Sequence, residues 1–146
     1  MKTVAKNRRA RYDYEIVQTI DAGIILEGHE VKSCRAGNVN LSGSYVSMNT
    51  GSPVLKGAKI AKYQYASGLE DYNLGRDRQL LIKKKEMAKL QKELLEKGVS
   101  LIPLEVKAGK HIKVILGLGK GQKRYDKRQS KKKKDVERRL REGKDV

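Results

Sequence analysis

Residues 99–118, VSLIPLEVKAGKHIKVILGL, restrict the possible folds more than any other stretch of the chain. Ile102, Leu104 and Val106 alternate with other residues on one arm, and Ile112, Val114, Leu116 and Leu118 on the other. Period-two alternation is the signature of a strand with one buried face. Ala108-Gly109 between the arms marks a tight reversal. The chain therefore has to build antiparallel sheet around this hairpin. Pro103 lacks an N–H and predicts that the first arm lies at an edge or carries a bulge.

The rest of the first 116 residues extends the pattern. YDYEIVQTI (12–20) alternates as a strand, DAG (21–23) reads as a turn, and IILEG (24–28) as a returning arm. HEVKSCRAG (29–37) has helical spacing and stops at Gly37, a C-terminal glycine cap. SYVSM and PVLKGAKIAKY read as further strands around an NTGSP turn at 49–53. LLIKKKEMAKLQKELLEKG (80–98) reads as a helix with Met87, Leu90, Leu94 and Leu95 on its apolar side. Short strands, two helices and no βαβ alternation predict a mainly β fold, a small antiparallel barrel with flanking helices.

Charge divides the chain. The 146 residues carry 34 Lys/Arg against 17 Asp/Glu, a net +17. Such an excess makes a fold repel itself unless a polyanion is its partner. From Gly117 onward there are 13 basic and 5 acidic residues, and after Leu118 the apolar residues shrink to Tyr125, Val136, Leu140 and Val146. That stretch cannot bury enough surface to offset its ordering entropy. The expected organisation is a body at 1–119 and a basic tail at 120–146, disordered when free.

Enzyme chemistry finds little support. GLGKGQK lacks the spacing and the hydroxyl of a phosphate loop, and the third glycine of a dinucleotide fingerprint. Its glycines read instead as a hinge that releases the chain from its last strand. His29-Glu30 lacks a second histidine four residues on, where Ser33 stands, and the single Cys34 completes no metal site. The single Cys34 excludes an internal disulfide and fits a reducing compartment, and His29 reads as an exposed residue at a helix start. No nucleophile elbow is present. The expectation is a non-enzymatic protein without metal or cofactor. No apolar run is long enough for a membrane span and no secretory h-region is visible, so the expected setting is cytoplasmic. KNRRAR (6–11), followed by Tyr12 and Tyr14, fits phosphate gripping and base stacking.

The motifs GHEVKSCRAGNVNLSGSY (28–45), NRRARYDYEI (7–16), DAGIILEG (21–28), RQLLIKKKE (78–86), GVSLIPLEV (98–106), KVILGLGKG (113–121) and YDKR (125–128) closely resemble the small protein B family, the SsrA-binding proteins of bacterial trans-translation. The resemblance runs in order from 7 to 128. It implies an oligonucleotide-binding (OB-like) barrel that holds the tRNA-like domain of transfer-messenger RNA and brings it to stalled ribosomes, acting as a monomer. It implies RNA contacts at Asn7, Asp21, Leu81 and Lys113, with Arg8, Arg9, Arg11, Lys120 and Lys123 as phosphate partners. It implies a tail motif at Asp126, Lys127 and Arg128 needed for tagging, and a role for Lys131, Lys132, Lys133 and Lys134 in the empty message channel near the decoding centre. Lys131 to Lys134 repel one another in a free helix, a repulsion that RNA phosphates would neutralise. Asp21 stands where the family usually has Glu, and Gln122, Tyr125 and His29 also depart from its pattern. A basic structural ribosomal protein or a general RNA binder is the alternative, separated from the first reading by its lack of preference for transfer-messenger RNA.

Overall fold

The computed structural model describes residues 1–48, 52–65, 68 and 70–121. The expected tail from residue 122, including Lys123, Asp126, Lys127, Arg128 and Lys131 to Lys134, lies outside the described residues. In chain order the elements are β1 (Lys2–Lys6), α1 (Ala10–Asp13), β2 (Tyr14–Ile24), α2 (Gly28–Arg35), β3 (Val39–Asn40), β4 (Tyr45–Ser47), β5 (Val54–Lys56), β6 (Lys59–Ile60), β7 (Arg78–Leu81), α3 (Lys84–Glu93), β8 (Val99–Ala108) and β9 (Ile112–Gly121).

Seven strands form one antiparallel sheet in the order β1-β8-β9-β2-β7-β5-β4, and β3 pairs with β6. The sheet curls until β4 lies against β8. Among the described residues no ladder joins its two ends, so it is mainly antiparallel β and open. The inner face holds the main core. Ile20, Ala22, Leu55, Leu80, Leu101, Val106, Val114, Leu116 and Leu118 meet Cys34 from α2 and Leu90 from α3 there. Each buried Ile, Leu or Val among them contributes about 1.5–3 kcal/mol by leaving water.

The 99–118 hairpin forms, with Ala108 opposite Ile112, but its first arm does not keep one face: Val106 points into the main core, while Ile102 and Leu104 lie on the opposite side. Pro103 sits at a bulge, where the register shifts between Pro103 and Glu105, but β8 is flanked by β1 and β9 and is not an edge. A second shift, between Ile16 and Gln18, interrupts β2. An extra residue in one strand turns the following side chains to the opposite face. Ile16 therefore lies on the outer face, whereas Ile20 and Ala22 point into the core. Ala10, Ile102 and Leu104, with Tyr14 and Ile16 against them, form a second apolar cluster outside the sheet.

Several sequence expectations are corrected. The turn at 21–23 is strand: Asp21, Ala22 and Gly23 pair with Ile115, Val114 and Lys113, so no hairpin returns through 24–28. Pairing to β9 outweighs the local turn preference of Asp and Gly. Tyr12 belongs to the short α1 rather than to the strand. Helix α3 starts at Lys84, because Leu80 is drawn into β7 and the core. Leu95 falls beyond the helix and is 86% exposed.

The glycines of GLGKG are not a hinge. Gly117 pairs with both Thr19 and Ile102, and Gly119 with Ile16 and Ser100. They lie inside β9 beneath the outer apolar cluster and leave room for it. Gly37 has φ +82, in agreement with a glycine cap on α2.

Candidate nucleic-acid interface

Register alone assembles one outer-face row across four strands. Gly23 pairs with Leu81 on one side and with Lys113 on the other, and Lys113 pairs with Lys107. The next row places Asp21 opposite Ile115, and Ile115 opposite Glu105. Alternation puts Lys113 on the face opposite the buried Ile112 and Val114. Three residues far apart in sequence, Asp21, Leu81 and Lys113, thus occupy neighbouring rows of one face.

Leu81 is 55% exposed and therefore is not a core residue. It leans across Gly23, since a Cβ built on Gly23 would lie 3.4 Å from Leu81 Cβ. Ile25, 49% exposed, follows beside it by pairing its N–H with the Gln79 carbonyl. This makes a small apolar shelf next to lysine. Directly opposed like charges destabilise a sheet. Lys107 is offset in part by Glu105, with Nζ 3.9 Å from its carboxylate. The Lys107–Lys113 pair is a local cost that a bound phosphate would relieve.

Asn7 lies beside the middle of the hairpin, one residue beyond Lys6, which pairs with Glu105 in the Asp21 row, and Arg8, Arg9 and Arg11 follow it. The Asn7 Nδ2 donates to the Pro103 carbonyl at 2.9 Å and its backbone N–H to the Leu104 carbonyl at 2.7 Å, which fixes the link from β1 into α1 on the bulge. Arg8, Arg9 and Arg11 are exposed, and Arg9 reaches Asp13 only at 3.8 Å. Lys120 is exposed near the end of β9, beside Glu93, Glu96 and Val99. Its alternation with Leu118 places it on the side of the sheet opposite Lys113. The structure therefore gathers Asp21, Leu81 and Lys113, places Asn7 next to the Asp21 row at the β1 edge of the sheet, and puts Lys120 on the opposite side of the sheet.

Behind the face lies a buried polar network that the sequence reading missed. Glu30 and Arg78 are both fully buried. Arg78 Nη2 donates to Glu30 Oε2 at 2.7 Å and Nε to the same oxygen at 3.1 Å, while Nη1 donates to the Ala58 carbonyl at 2.7 Å. Arg76 also pairs with Glu30, the Tyr72 hydroxyl lies 2.9 Å from Glu30 Oε2, and the Glu27 N–H donates to Oε1 at 3.0 Å. Burial alone would raise the Glu30 pKa, but the donors Arg76, Glu27 N–H, Arg78 and Tyr72 outweigh it and lower it to about 2. Burial, then donation to Glu30, pushes the Tyr72 phenol up to about 12. Burial, then the Glu30 charge, pushes the buried Cys34 thiol up to about 11, which leaves it unreactive. The network ties α2 to the segment leading into β7. His29 is not exposed as expected: its side chain is only 13% accessible, with Nε2 2.7 Å from Glu27 and its ring edge-on to Tyr72 at 4.8 Å. The one signal available in the sequence was Glu30 on a helix face with Ser33 and Cys34, too generic to show its partners.

The SmpB protein family profile matches residues 4–145. An SsrA-binding protein of Staphylococcus saprophyticus subsp. saprophyticus is 46% identical over 138 residues, covering 93% of this chain and 88% of that protein. One from Acetivibrio thermocellus is 46% identical over 147 residues, covering 97% and 94%. A solved chain described as "tmRNA-SmpB: a journey to the center of the bacterial ribosome" superposes with TM-score 0.67 at 40% identity, covering 85% of this chain and 87% of its own. With the family profile spanning nearly all its length and relatives this similar, the chain belongs to the SmpB protein family.

Proposed function

We propose that the protein is a non-enzymatic RNA-binding adaptor. It binds the tRNA-like domain of transfer-messenger RNA and delivers it to stalled ribosomes for trans-translation. Relatives at 46% identity carry the name SsrA-binding protein, and the superposing chain is described with tmRNA and the ribosome. The observation that carries the reading is the outer-face row in which exposed Leu81 and the Gly23 backbone lie next to Lys113 and Lys107. An apolar shelf accepts the face of an unpaired base, and flanking lysines accept its phosphates.

In this reading the body through about residue 119 closes in the manner of an OB-like barrel, supported by the return of β4 against β8. Asp21 accepts from base amino groups or orients a basic neighbour. Asn7, Arg8, Arg9, Arg11, Lys120 and Lys123 add RNA contacts. The tail from 120, through Asp126, Lys127, Arg128 and Lys131 to Lys134, reads the empty message channel after RNA is bound. The protein works as a cytoplasmic monomer without cofactor. Among the described residues no helix is long and apolar enough to cross a membrane.

The test is a titration against the isolated tRNA-like domain, with an ordinary tRNA and a duplex DNA as competitors and salt varied. Preference for the tRNA-like domain that persists as salt rises is expected. Equal affinity for all three, collapsing together with salt, would instead mark a general polyanion binder.

A further inference from the structure

A cleft of about 540 Å³ opens on the outer side of the sheet, lined by Asn7, Arg9, Asp13, Tyr14, Ser42 and Tyr45, among others. It lies between the start of α1 and the loop leading into β4. Tyr45, the first residue of β4, is 54% exposed. Gly43, at φ +74, has open space where a Cβ would stand, which keeps the loop side of the cleft unobstructed. Tyr14 and Ile102 on its floor are packed in the outer apolar cluster. The resemblance implies RNA contacts for Asn7 and Arg9 at its rim, but it gives Tyr45, Asp13 and the cleft itself no role.

We infer that the cleft takes a single unpaired RNA nucleobase, separate from the shelf formed by Leu81 and Gly23; the inference rests on the RNA-binding reading above. Its size is in the range of sites that enclose small ligands. Tyr45 supplies an aromatic face for stacking, and Arg9 a planar guanidinium. Asp13 inside the cleft repels a phosphate yet can accept from an exocyclic amino group, so the base enters and the backbone stays outside. Arg8 and Arg11, exposed and flanking the cleft residues Arg9 and Ala10 in sequence, would meet that backbone.

Tyr14 and Gly23 are nine residues apart along β2, roughly 25–30 Å at strand rise. One nucleotide cannot reach both ends of that span. The protein grips RNA at two stations on one face.

Chemical probing at nucleotide resolution tests this, with full-length protein on the tRNA-like domain of transfer-messenger RNA and, separately, on the ribosomal small subunit. Wild type, Tyr45→Ala, Tyr45→Phe and Lys113→Ala are compared. Tyr45→Ala is expected to expose one or more unpaired bases that Lys113→Ala leaves protected, and to weaken binding about five- to 150-fold. Tyr45→Phe retains the ring and should restore both. The RNA on which the protection is lost identifies the source of the base. Unchanged protection and affinity for Tyr45→Ala on both RNAs would overturn the inference, even if Lys113→Ala weakens binding as the adaptor reading requires. If wild type shows no preference for the tRNA-like domain, the adaptor reading falls, and the small-subunit arm alone decides the cleft by the same criterion.

Discussion

Gly119 of β9 lies directly under Tyr14 of β2: a Cβ built on Gly119 would stand 2.9 Å from Tyr14 Cβ and 2.8 Å from Ile102 Cδ1. Gly117 is similarly covered by Leu104, whose Cδ1 would be 2.8 Å away. The two glycines let three strands share an apolar cluster on the outer face without pushing it off the sheet.

Gly119→Ala should therefore destabilise the protein by about 1–3 kcal/mol, the range for overpacking a filled site. Because Tyr14 Cβ is anchored to backbone, a rotamer change cannot relieve the contact. Urea denaturation gives the value. A neutral or stabilising result would return these residues to the role of hinge.

Glu30→Gln should cost about 3–5 kcal/mol, because it leaves the buried Arg78 guanidinium without its counter-charge. The urea midpoint should fall with little change in slope. A loss below about 1 kcal/mol would mean that Arg78 finds sufficient partners in carbonyls alone.

The same carboxylate sets an acid limit. Its folded pKa is lowered from 4.5 to about 2. As pH falls, the unfolded chain takes up this proton first. The Glu30 contribution is complete above pH 4.5, declines below it, and is gone once the pH passes about 2. Stability measured from pH 6 to pH 2 should decline over that window in wild type and decline less in Glu30→Gln.

Leu81→Ala and Lys113→Ala should separate binding from folding. Leu81 is 55% exposed, so its truncation should shift stability by no more than about 0.5 kcal/mol while weakening the tRNA-like domain complex. Lys113→Ala should reduce the slope of log affinity against log salt by about 0.7–0.9 for the one phosphate it neutralises. Unaltered affinity in both variants would move the RNA off this face.

Changing Asp126, Lys127 and Arg128 together to Ala should abolish tagging in a trans-translation assay while leaving affinity for the tRNA-like domain intact. Loss of that affinity would join tail and body in one binding unit.

The 99–118 hairpin, helix α2 with its Gly37 stop, and the basic excess were legible in the sequence, because each depends on local periodicity or simple composition. So was the family, because its motifs are contiguous stretches. The sequence placed Asp21, Leu81 and Lys113 in one contact set only through that resemblance. Their actual adjacency comes from strand register, which no single strand contains. Local signals failed where pairing outweighed them: the DAG turn became strand because β9 offered it a ladder, and Leu80 left its helical pattern for the core. Two bulges, after Ile16 and at Leu104, decided which residues face outward, since one inserted residue reverses every side chain beyond it. The Glu30–Arg78 pair and the cleft beside Tyr45 likewise required the tertiary structure, because they join segments far apart in sequence whose charges and rings have no meaning until the sheet curls and brings them together.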